Sequence, residues 1–302
     1  MQRPYGGPMF YRQKVMLALL ELSGGMLNRT DLQKLLFLLH QTTNQSSYDF
    51  VPHKYGPFSF IAYDDRRKLI EQDVLKDTDD FELKNETNSF ITQLRSKDRV
   101  PIRNFAYRYS KLRGNELLHY VYTKYPQYTV RSQILDEVLT PEEYHTAYRY
   151  QMQDNQLKLF TIGYEGSSLD NYLNRLIRNN VKLIVDVRSN PISRKYGFSK
   201  TKLQEYLEKI DVSYCHLPEL GIPSALRKDL SSKQSYQDLF ETYATTILPK
   251  QPSALNHIKV LLEQHRRIAL TCFEADYCMC HRHKITEVFA TERTFNIPIS
   301  HI

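Results

Sequence analysis

From residue 157 onward the chain alternates short apolar runs with amphipathic ones, and this constrains its fold more than any other feature. "LKLFTIGYEG", "VKLIVDVRS", "VSYCHLPELG" and "RIALTCFEAD" are apolar runs that break into polar or glycine residues. Between them lie "SLDNYLNRLIRNN", "KTKLQEYLEKID" and "ALNHIKVLLEQH", and "CHRHKITEVFATER" follows the last. In the first of these helical stretches Leu169, Tyr172, Leu173, Leu176 and Ile177 fall on one face. Strands that alternate with helices imply a parallel sheet covered on both faces, because parallel strands need crossover connections. The C-terminal half therefore reads as an α/β, Rossmann-like domain. In such sheets the ligand crevice lies outside the carboxyl ends of the strands. Each unusual polar cluster in this half falls at one of those ends.

The N-terminal half has another rhythm. "FYRQKVMLALLELSGG" reads as a helix stopped by Gly24 and Gly25. In "NRTDLQKLLFLLHQ", Asn28 or Thr30 caps a helix whose apolar face is Leu32, Leu35, Leu36 and Leu39. A short aromatic strand, a Pro/Gly turn and a third helix follow in "YDFVPHKYGPFSFIAYDDRRKLIEQDVL", and "GNELLHYVYTKYPQYTVRS" adds a helix ended by Pro126. The pattern predicts a mainly helical, winged-helix-like domain over residues 1–155. The α/β domain then covers 156–302, with a polar, amide-rich stretch before the boundary.

Charge separates the halves as well. The formal charge is +7; residues 1–155 hold 21 basic and 19 acidic side chains, and residues 156–302 hold 20 and 15. Near-balance in the first half favours a protein partner over DNA there. Between positions 188 and 202 stand Arg188, Arg194, Lys195, Lys200 and Lys202 with no acidic residue, the pattern of a surface that meets phosphate. No apolar run reaches the roughly 18 residues of a membrane span. The N-terminus lacks a signal-peptide pattern, and the four cysteines, three of them crowded together, make a poor disulfide framework. The expectation is a cytoplasmic protein with reduced thiols and no membrane partner.

Four strand-end clusters carry the candidate chemistry. In "TIGYEGSS" two glycines and Ser167 and Ser168 open a helix whose N–H groups can face a phosphate, with Glu165 at the turn. In "VDVRSNPISRKYGFSK", Asp186 and Arg188 leave the strand at alternate positions and point the same way. They form either a buried pair that staples the loop or, with Ser193, Arg194 and Lys200, part of a phosphate site. In "HLPELGIP", His216 and Glu219 suit acid–base work or a structural hydrogen bond. The last cluster packs Cys272, Cys278, Cys280, His281 and His283 into twelve positions. Cys272 and Glu274 share one side of the strand end, while Cys280 and His281 begin a helix. The helix dipole and Arg282 would stabilise a Cys280 thiolate. The spacing C-x5-C-x-C-H-x-H matches no standard zinc pattern. No metal ligand is therefore assigned, no cofactor is specified, and a metal held by Cys272, Cys280 and His281 is the lesser alternative.

The pieces "TIGYEG", "LIVDVRSNPISRKYGFSK", "HLPELGIP" and "LTCFEADYCMCHRHKITE" occur in order across 158–290. In these the chain resembles the bacterial family known as domain of unknown function 488. The resemblance points to Asp186, Arg188, Ser193, Arg194, Glu219, Cys272, Glu274, Cys280, His281 and Arg282, and to nucleic acids or nucleotides as ligands. The N-terminal half resembles the helical domain of Panacea-type antitoxins through "LQKLLFLLH" and "FVPHKYGPFS". The resulting expectation is an intracellular hydrolase or glycosylase acting on a nucleic acid or nucleotide. Arg188, Ser193, Arg194, Lys200, Arg282 and Ser167 would hold phosphate. Glu274, Asp186, Glu165, His216, His281 and Cys280 would supply acid–base groups. One alternative is a non-enzymatic, DNA-binding or antitoxin-like regulator that senses a nucleotide; another is a metal-dependent enzyme built on the Cys/His cluster.

Overall fold

The computed structural model describes residues 8–43, 47–85, 89–151, 154–227 and 232–302. The chain falls into two units, Met1–Met152 and Gln153–Ile302. The first is mainly helical. Its elements in chain order are α1 (Tyr11–Leu22), β1 (Met26–Leu27), α2 (Arg29–Thr42), β2 (Val51–His53), β3 (Gly56–Phe58), α3 (Phe60–Glu71), β4 (Phe81–Glu82), α4 (Ser96–Tyr109), α5 (Gly114–Lys124), α6 (Leu135–Val138) and α7 (Pro141–Gln151). β1 pairs with β4 and β2 with β3, both antiparallel. Asn28 caps α2, its side-chain oxygen accepting from the Asp31 N–H at 2.7 Å. An amphipathic α2 is the sequence expectation, yet positions 31–39 are buried all round. α1, α4 and α5 pack around it, which makes α2 the centre of this core. Two of the charged groups carried inside, Asp65 and Lys34, have partners. Asp65 accepts from Arg12, Gln13 and Tyr48, and Lys34 Nζ donates to the Pro57 carbonyl at 3.1 Å.

The second unit follows the strand–helix alternation. It runs β5 (Lys158–Gly163), α8 (Leu169–Arg178), β6 (Leu183–Asp186), α9 (Lys200–Glu208), β7 (Ser213–His216), α10 (Lys233–Thr242), α11 (Pro252–His265), β8 (Arg267–Cys272), α12 (Arg282–Thr291) and β9 (Ile299–His301). The five strands form one parallel sheet in the order β7-β6-β8-β5-β9. The inner strands β6 and β8 are buried along their whole length, whereas the edge strands β7 and β9 are half-exposed. Leu159, Val185, Ile268 and Leu270 pack with Ile258 and Leu262 of α11 and Ile285 and Phe289 of α12. On the other face the Tyr172 hydroxyl of α8 donates to Thr271 Oγ1 at 2.9 Å. Helices therefore cover both faces of the sheet.

This order fixes where a crevice forms. From β6 the chain crosses to β7 on one side, and from β8 it crosses over β5 to β9 on the other. β6 and β8 are neighbours whose exits diverge, so the loops after them part at their carboxyl ends. That is the topological switch point.

Candidate active site

A cavity of about 280 Å³ opens at this switch point. It is lined by Tyr164 after β5, by Arg188, Ser189, Asn190, Ile192, Ser193 and Arg194 after β6, by Ser224 and Arg227, and by Cys272 and Phe273 at the end of β8. Two glycines allow these loops to meet. A Cβ at Gly163 would stand 1.8 Å from the Glu274 carbonyl oxygen, and one at Gly221 would stand 2.1 Å from the Ser189 nitrogen. Neither position has room for a side chain.

One wall is a buried ion pair. Asp186 is fully buried and accepts from Arg188 Nε at 2.9 Å and Nη2 at 2.5 Å, from the Arg188 N–H at 3.1 Å and from the Tyr214 hydroxyl at 2.7 Å. Arg188 Nη1 donates to the Tyr164 hydroxyl at 2.8 Å and to the Phe198 carbonyl at 2.9 Å. The Tyr164 ring stacks on Phe198, with centroids 4.3 Å apart. Of the two sequence readings of "DVR", the staple describes these contacts. Asp186 spends its oxygens on these donors, while Arg188 ties the end of β6 and the loop after it to the loop after β5 and still borders the cavity.

Other predicted residues are also tied down. His216 Nε2 donates to the Arg188 carbonyl at 2.8 Å. Ser193 Oγ accepts from the Lys195 N–H at 3.1 Å. Glu165 accepts from the Ala275 N–H at 3.1 Å, and Ser167 Oγ donates to the Ser168 carbonyl at 3.2 Å. Arg282, expected at a phosphate, is buried and donates to the carbonyls of Glu274 at 2.7 Å and Ala275 at 3.1 Å, which fixes that loop. Lys200 starts α9, is exposed and is not among the lining residues. Arg194 is exposed and does line the cavity. Sequence reasoning misses Arg227, Ser189, Asn190 and Ser224, which sit in irregular loops where no periodicity marks a facing direction.

Behind Cys272, which lines the cavity, lies a thiol–imidazole cluster. Cys272, Cys280 and His281 are each no more than 2% exposed. Cys272 Sγ lies 3.3 Å from Glu274 Oε2 and 3.8 Å from His281 Nδ1, and Cys280 Sγ is also 3.8 Å from Nδ1. His281 Nε2 donates to the Val187 carbonyl at 3.0 Å. A carbonyl only accepts, so in the neutral ring Nε2 carries the proton and Nδ1 turns its lone pair to the sulfurs. The expected Cys280 thiolate is corrected here. α12 begins only at Arg282, and burial, reinforced by Cys272, pushes the Cys280 thiol well up. A hydrogen bond from Cys280 instead holds Cys272 well below the ordinary thiol value, against burial and with help from His281. Burial and the charge on Cys272 raise Glu274.

An open, doubly wound parallel sheet with an arginine-lined cavity at its switch point defines the C-terminal unit as an α/β domain. Residues 168–289 match the family model described as Domain of unknown function DUF488, and this unit belongs to that family. Comparisons with curated proteins and with solved structures gave no match. Among the described residues no helix is long and apolar enough to cross a membrane.

Proposed function

We propose that the C-terminal domain is a hydrolytic enzyme acting on a nucleotide or nucleic acid, with phosphate at the cavity rim and the broken bond at its floor. The observation that carries this reading is the cavity lining. Arg194 and Arg227 are exposed, border the cavity, and make no ion pair among the described residues. Their guanidinium forks match phosphate oxygens. The buried floor presents Cys272, with Glu274 in contact behind it. A carboxyl group raised by burial is better suited to carry a proton than an ordinary carboxylate. Glu274 is not itself among the lining groups, so chemistry reaches the substrate at the Cys272 end. That favours hydrolysis there over direct stabilisation of an oxocarbenium ion by a carboxylate, as a glycosylase would require. The N-terminal unit, with its near-balanced charge, is assigned to partner contact.

The test is Glu274→Gln, assayed on a panel of nucleotides and of single- and double-stranded DNA for released phosphate or base. The variant should lose turnover while its binding stays within about twofold of the parent, since the phosphate contacts are elsewhere. Undiminished turnover would remove Glu274 from the mechanism. Tight, salt-dependent DNA binding with no product from the unaltered protein would support the regulator instead.

A further inference from the structure

The geometry points to a zinc centre held by Cys272, Cys280 and His281, with Glu274 as the nearest further donor. The Sγ atoms of the two cysteines and a ring nitrogen of His281 lie within 4.8 Å of one another, all buried. Zinc binds sulfur at about 2.3 Å and imidazole nitrogen at about 2.05 Å, so at the tetrahedral angle the two donors stand about 3.6 Å apart. Both thiols are 3.8 Å from Nδ1. Along both sulfur–nitrogen edges an ion therefore needs only a few tenths of an ångström of closure.

The surroundings are those of a held ligand set. His281 gives its second ring nitrogen to the Val187 carbonyl at 3.0 Å, which fixes the tautomer and leaves Nδ1 for a metal. The Tyr243 ring meets the imidazole edge to face at 5.4 Å, and its hydroxyl is anchored on the Leu220 carbonyl at 2.7 Å. Arg282 clamps the carbonyls of Glu274 and Ala275, in the loop between the first and second thiols. Two thiolates and an imidazole select zinc over magnesium or calcium, which take oxygen donors. Glu274 Oε2 touches Cys272 Sγ at 3.3 Å but lies outside the set of mutually close donors, so the fourth position is left to water or to a shift of this carboxylate. The linear spacing fails the usual zinc patterns because the first ligand closes a strand and the other two are adjacent in a turn. The exposed Cys278 lies outside the set.

This assignment stands on the donor set and does not depend on the hydrolase reading. Cys272 belongs to both the centre and the cavity wall, so a bound zinc would lie at the cavity's edge.

The experiment reads metal without substrate. The full chain is purified under reducing conditions from zinc-supplemented medium, without a metal-affinity step, and its metal is measured by mass spectrometry after dialysis. About one zinc per chain is expected. It should fall at least tenfold in Cys280→Ser and His281→Ala and stay unchanged in Cys278→Ser. Alkylation of the unaltered protein with and without a chelator, mapped by peptide mass, gives a readout that needs no folded variant. Cys272 and Cys280 should be labelled only after the chelator, Cys278 in both cases. A metal-free protein that takes up no added zinc would overturn the centre. So would zinc content indifferent to Cys280→Ser, or a Cys272–Cys280 disulfide in place of metal.

Discussion

Asp186→Asn keeps the shape of the side chain and removes the charge that the cavity wall is built around. Asp186 accepts from four donors, three of them on Arg188, and the Arg188 side chain is only 6% exposed. Solvent therefore does little to soften the loss. Arg188 would keep its bonds to the Tyr164 hydroxyl and the Phe198 carbonyl, but neither carries a counter-charge. Removing one partner of a buried ion pair costs about 3–5 kcal/mol, against a total domain stability of about 5–15 kcal/mol. With a urea slope of about 2 kcal/mol per molar, the midpoint of the C-terminal unit should fall by roughly 2 M. Urea unfolding of the full chain by circular dichroism measures this, and a transition from the N-terminal unit should stay in place as an internal reference. Arg188 and Tyr164 both line the cavity, so nucleotide binding should weaken with stability. The double variant Asp186→Leu with Arg188→Met should recover much of the loss, because apolar replacement of a buried pair is often near neutral. A shift below about 0.5 kcal/mol for Asp186→Asn would refute the reasoning, since that is the range of a surface substitution.

Two further outcomes follow from other groups. Lys34 is fully buried, and burial lowers its pKa to about 7 from an ordinary 10.5. The unfolded chain holds this proton up to about pH 10.5 and the folded one only to about 7, so stability should rise across that window as pH increases and be lowest below it. The ceiling is about 5 kcal/mol, at 1.36 kcal/mol per unit. Lys34→Met should flatten the slope between urea midpoints at about pH 7 and about pH 9.5; an unchanged slope would show that Lys34 is charged in the fold. Arg194→Ala and Arg227→Ala should each weaken binding of a labelled polyphosphate about tenfold or more, at about 1.5–3 kcal/mol per charge-assisted hydrogen bond. Both side chains are exposed, so melting should not move; unaltered affinity in both, by fluorescence polarisation, would remove phosphate from the cavity rim.

How much of the fold and the site is legible in the sequence depends on whether a residue's partner lies along the chain or across it. The inner strands are readable because a strand covered on both faces is apolar throughout, as 183–186 and 267–272 largely are. β9 is not: it has three residues, sits at the sheet edge, and joins β5 only through the short register from Leu159↔Ile299 to Thr161↔His301. The α8 face is legible because five positions on one stripe declare it. The all-round burial of α2 is not, since it depends on which helices pack against it. At the site, the two-residue spacing of Asp186 and Arg188 foretells that they point together, and they find each other. For the cysteines local logic does not reach the arrangement in space. It weighs spacing along the chain, while Cys272, Cys280 and His281 come together because the end of β8 meets the turn before α12. That turn is drawn in by a hydrogen bond from His281 to Val187, just beyond the neighbouring strand β6. The switch point is thus a property of strand order, and strand order decides which of four legible strand ends share a cavity. β6 and β8 do, with Tyr164 after β5 and with Ser224 and Arg227 from the long connection after β7, whereas His216 at the end of β7 itself faces a backbone carbonyl.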